Sequence, residues 1–284
     1  MRPAGTSVGL RLRRTPISIN VLRGVVVSGQ GSKPTSRSMT IAALGFAVWA
    51  IGYVAIASPF TTSSWEWALC VLGPLILAVA ALSNGPALRE TYGPLAFALL
   101  VVALLLAAFE FLPLALSISG SSSGWAAASY ELWGASWIVG AFGVVAFIAR
   151  RQSRPSPTAA PGASFAQLSL LSSGMLVYGI GFEELGSDSR SHAFGAVAFA
   201  GAALIALSII LQRRSLSARM GGAAAGIVIV VVTGWAVKDF ARVTGSLMAN
   251  ATFNKEMIFG LGGIFFALTA VACVLVSRRY SSAD

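Results

Sequence analysis

Eight continuous runs of apolar residues, near 41–58, 66–83, 94–113, 131–149, 165–182, 192–211, 221–237 and 257–276, leave this chain few ways to fold. Each is about 17–20 residues long, enough for an α-helix rising 1.5 Å per residue to cross the roughly 30 Å hydrocarbon layer of a bilayer. Backbone polar groups in lipid must bond to one another, so only helices and closed barrels span it. Barrel strands alternate apolar and polar residues, whereas these runs are apolar throughout, and helices are therefore expected. The predicted fold class is all-α: a polytopic integral membrane protein with about eight transmembrane helices.

Composition agrees. Charged residues make up 11% of the 284, against about 25% in an average soluble domain. The mean hydropathy is +0.78. The net charge of +10 would suggest nucleic acid in a soluble protein, but its placement follows the loops instead. With the N-terminus inside, segments 1–40, 84–93, 150–164, 212–220 and 277–284 carry sixteen Lys and Arg. The other side has Arg190, Lys238, Arg242 and Lys255. That bias predicts a plasma-membrane protein with both termini cytoplasmic. Its basic inner collar faces anionic lipid, with no nucleic-acid partner. Glu66, Glu110, Glu131, Glu183, Glu184, Asp188, Asp239 and Glu256 gather on the outer side.

Residues 1–38 are basic, acid-free and without an apolar period, and are expected to be a disordered cytoplasmic tail or an extension ahead of a start at Met39. The rest divides into a first four-helix unit (39–151), a linker (152–164), a second unit (165–279) and a short tail (280–284). The division rests on an internal likeness. Gly45 to Tyr53 and Gly174 to Phe182 share four of nine residues, and two more positions are aromatic in both. Glu110-Phe111 and Asp239-Phe240 stand at the same offset of 129, Glu131 and Glu256 open the fourth and eighth runs, and Arg150-Arg151 and Arg278-Arg279 close them. An even number of helices per unit makes the halves parallel repeats.

Within the first unit, Ser58-Pro59-Phe60 followed by Trp65, Trp67 and Gly73 resembles the bacterial SPW repeat, with Phe in place of its Trp. The resemblance covers residues 46–83. It implies a repeated two-helix membrane hairpin and no particular activity.

Candidate sites are few. Glu183, Glu184, Asp188 and His192 are carboxylates and the one imidazole, types that suit Mn²⁺ or Zn²⁺, but at no metal-motif spacing. A solvated acidic loop is the plainer reading. Glu110 and Asp239 sit where an outer vestibule for cations would lie; Lys238 and Arg242 flank Asp239, while Glu110 has no cation near it in sequence. Glu66, Glu131 and Glu256 read as helix-opening charges that complement the helix dipole. Pro74 reads as a fixed bend or a hinge. Gly222 and Gly226, Ser136 and Gly140, and Ser191 and Gly195 are small-residue pairs that let helices approach. Trp65, Trp67, Trp125, Tyr130 and Trp133 read as an interfacial aromatic belt. Ser136, Ser172, Thr233 and Thr269 should converge if a polar pore exists. No catalytic or cofactor motif is present, so neither an enzyme nor a cofactor is expected. The leading expectation is a structural or accessory membrane protein packed against a partner or a second copy. A channel or carrier for a small neutral or cationic solute, and an outer-face metal or ligand sensor, are the alternatives.

Overall fold

The computed structural model describes residues 36–58, 64–112, 123–153, 163–187, 192–246 and 251–281. Side chains are described for all of these except 64, 123–127, 185–187, 192, 242–246 and 251–258. The described residues form ten helices: α1 (Ser36–Ala57), α2 (Ser64–Ser83), α3 (Gly85–Tyr92), α4 (Pro94–Phe109), α5 (Ser123–Ser153), α6 (Phe165–Ser187), α7 (His192–Leu211), α8 (Arg213–Met220), α9 (Gly222–Ser246) and α10 (Ala251–Ser281). Seven are long and apolar enough to cross a membrane, and α4, at 16 residues, is the shorter eighth apolar helix. The chain is an all-helical, multi-pass membrane protein.

Two stretches expected as loops are helical. Residues 85–92 and 213–220 are too charged to register as apolar runs, yet they form α3 and α8. Both end at a glycine in a conformation that other residues rarely adopt: Gly93 at φ 97°, ψ 154° and Gly221 at φ 90°, ψ 154°. Each glycine N–H bonds back to the carbonyl of Arg89 or Ser217, closing the short helix. An arginine from a long helix then reaches each: Arg150 Nη2 donates to the Glu90 carbonyl at 2.7 Å, and Arg279 Nη2 to that of Ala218 at 3.4 Å.

The eight apolar helices close into a ring in the order α1, α2, α4, α5, α6, α7, α9, α10, with α10 returning to pack along α1. Ser36 Oγ lies 3.0 Å from Ser277 Oγ and 2.7 Å from Ser281 Oγ across that last seam. Residues 39–151 and 165–279 are thus not separate bodies; they belong to one compact unit, Ser32–Asp284.

Contacts in one half recur in the other, 128 or 129 positions on. A Cβ added to Gly73 would fall 2.5 Å from the Trp49 Cβ, and one added to Gly201 would run into the Tyr178 backbone. Gly52 abuts Cys70 as Gly181 abuts Ala198, and Gly45 abuts Leu77 as Gly174 abuts Ile205. Gly134 meets the Gly179 carbonyl across α5 and α6, as Gly263 meets that of Ala50 across α10 and α1. Small residues here replace the apolar driving force that lipid cannot supply, letting backbones touch.

Some expectations need correction. Gly222 and Gly226 have nothing within 4 Å of an added Cβ, so that pair packs against no helix among the described residues. Glu131 does not open a helix, because α5 begins at Ser123, well before it. Trp133 is buried in the core rather than at an interface, and Trp67 is half-buried on it; Trp65 is exposed. Pro74 is buried, and its missing N–H removes one hydrogen bond from α2. The side chains of Trp125 and Glu256, and Ser191, lie outside the described residues.

Candidate functional site

The ring is filled at its centre by aromatic side chains that make a closed circuit. Trp49 of α1 meets Trp133 of α5 edge-on at 6.2 Å, and Trp133 meets Trp137 at 5.7 Å. Trp137 meets Tyr178 of α6 at 4.9 Å, and Trp235 Nε1 of α9 donates to the Tyr178 hydroxyl at 2.8 Å. Trp235 lies 5.5 Å from Phe266 of α10, which stacks on Trp49 at 4.1 Å. Five helices, drawn from both halves, each contribute to this circuit.

Near the start of α2, the end of α4 and along α9, charged side chains are buried. Glu66, Glu110, Lys238 and Asp239 are only 1%, 9%, 4% and 2% exposed. Tyr53, Phe111, Trp67 and Phe259 contact one another as a ring of aromatic side chains, and Phe111 directly follows Glu110. Glu110 directly follows α4, and the Ser129 hydroxyl donates to its carbonyl, tying α4 to α5.

The Lys238 ammonium forms an ion pair of 3.2 Å with Asp239 and lies 4.2 Å from the centre of the Trp235 ring. Glu110 Oε2 and the indole nitrogens of Trp49 and Trp137 are buried without hydrogen-bond partners among the described residues.

Other candidates fare differently. Glu183 and Glu184 are exposed near the end of α6, while Asp188 and the His192 side chain lie outside the described residues. No group of three or more His, Cys, Asp or Glu arranged for a metal occurs among the described residues. Ser136, Ser172 and Thr269 donate to the carbonyls of Trp133, Ala141 and Phe265, and Thr233 is exposed, so these four do not converge on a pore. At the opposite, arginine-rich end of the bundle, Tyr92, Gly93, Pro94 and Arg150 line a cleft of about 420 Å³.

Sequence reasoning did not find Trp49, Tyr178, Trp235 and Phe266 as parts of one site. Their sole sequence signal is the repeat: Trp49 and Tyr178 match at offset 129, as do Trp137 and Phe266. No family model matches the chain, and neither a curated protein nor a solved structure matches it.

Proposed function

We propose that this protein is a plasma-membrane carrier for a small cationic solute, with Glu110 and Asp239 as the binding carboxylates. The observation that carries the reading is the burial of both carboxyl groups, with Lys238 paired to Asp239 and Glu110 Oε2 lacking a hydrogen-bond partner among the described residues. Buried charge that is not fully paired costs stability, and intramembrane carboxylates of this kind mark solute pathways. A packing or accessory role needs no such group. The recurrence at 128–129 residues supports a fused pair of four-helix units, and repeat transporters place their sites between the halves. In this reading the Glu110 end faces outward. The opposite end, with Arg89, Arg150, Arg151, Arg213, Arg214, Arg278 and Arg279, faces the cytoplasm and its anionic lipid.

The test is charge movement by the full-length protein in liposomes on a solid-supported membrane, after jumps of Rb⁺, Mg²⁺ or ethylammonium. The wild type should give a current with at least one of them. Glu110→Gln and Asp239→Asn should lower it at least about tenfold, the scale of a lost charge-assisted contact. Glu131→Gln, at an exposed position, should leave it unchanged. A protein that gives no more current than empty liposomes with all three cations is not a cation carrier.

A further inference from the structure

We infer that the solute is an organic ammonium ion, and that Lys238 is its resident stand-in, which must leave Asp239 before the solute binds. This rests on the carrier reading and specifies its substrate class.

The chemistry of the walls selects the cation. A divalent metal ion wants six or more oxygen ligands, or nitrogen and sulfur donors in a compact set. Lys238 lies over the Trp235 ring, whose indole N–H donates to the Tyr178 hydroxyl. A ring face gives a bare metal ion no lone pair to coordinate, but it attracts an ammonium, and attracts it more strongly away from water. The protein itself displays that bound state. The last carbons and ammonium of Lys238 amount to an ethylammonium ion held between the Trp235 face at 4.2 Å and the Asp239 carboxylate at 3.2 Å.

Bonding supplies the second argument. Glu110 Oε2 is buried without a hydrogen-bond partner among the described residues, and Lys238 sits at ion-pair distance, 3.2 Å, from Asp239. A free ammonium is untethered and can orient three N–H groups among carboxylate oxygens. The lysine holds the cluster while it is empty, and the solute makes the better bonds. Lys238 is thus a competitor built into the site, and the apparent affinity falls by the fraction of protein in which it has swung away.

The experiment is equilibrium dialysis of radiolabelled ethylammonium against the full-length protein in detergent at pH 7. Lys238→Met should bind it about ten- to a hundredfold more tightly than the wild type, since the competitor is gone. Lys238→Met/Asp239→Asn should bind at least about a hundredfold more weakly than Lys238→Met. Unlabelled methylammonium should displace the label, and equal concentrations of Rb⁺ or Mg²⁺ should not. If Rb⁺ or Mg²⁺ displaces it as well as methylammonium does, the site is one for inorganic cations; the ammonium assignment falls and the carrier reading stands. If Lys238→Met binds no more tightly than wild type, Lys238 is not a competitor and the inference is overturned. If no cation binds to either protein, both the inference and the carrier reading fail. Wild-type protein at millimolar ligand reads the same displacement order, so the question is decided even if Lys238→Met does not fold.

Discussion

Single glycines in this protein divide sharply by what lies opposite them. Gly73 touches the Trp49 Cβ, and any added methyl must part α1 and α2. Gly73→Ala should lower stability by about 1–3 kcal/mol, the usual cost of overpacking, seen as a lower thermal midpoint in detergent. Gly226 faces open space, so Gly226→Ala should raise stability by roughly 0.5–1 kcal/mol through helix propensity alone. An equal loss in both variants would mean that Gly226 packs against a second copy. The hydrogen bond from Trp235 to Tyr178 is read by a double-mutant cycle of Trp235→Phe and Tyr178→Phe. Its coupling should be about 0.6 kcal/mol and at most ~1.7 kcal/mol, the range for polar contacts between membrane helices. At this scale the sequence was a poor guide. Glu110 and Asp239 could be assigned a depth from their distance to the helix ends, but not a face, because the helices carrying them are apolar all round and show no stripe to orient them.

The short helices α3 and α8 show how an element escapes a hydropathy reading while announcing itself in other residues. Asn84-Gly85-Pro86 places proline at the start of α3, and Gly93-Pro94 stops it and begins α4. That pattern of proline at a helix start and glycine past its end is a boundary signal in its own right. The spans were legible because each is a continuous apolar run. What no run length could show is that Arg150 and Arg279 each reach back to bond one of these short helices. Gly93→Ala should cost about 1–3 kcal/mol, since its backbone lies in a region open essentially to glycine alone. Arg150→Ala should speed hydrogen exchange in residues 85–92 and leave 213–220 as before; equal change in both segments would mean the two are coupled rather than separately held.

For the molecule as a whole, ring closure makes the most direct prediction. Ser36→Cys/Ser281→Cys, in a background with Cys70 and Cys273 replaced by Ala, should oxidise to a disulfide within one chain. A gel shift at monomer mass checks it, and a dimer band in its place would contradict the α1–α10 seam.

That seam also sets a timetable. Because α1 packs along α10, the ring stays open until the ribosome has delivered α10. Residue 238 follows residue 110 by 128 positions, an interval of roughly 6–26 s at about 5–20 residues per second. During that interval the inner face of the earlier helices lacks its cover. It is then that an insertase or quality-control protease would find the most to hold.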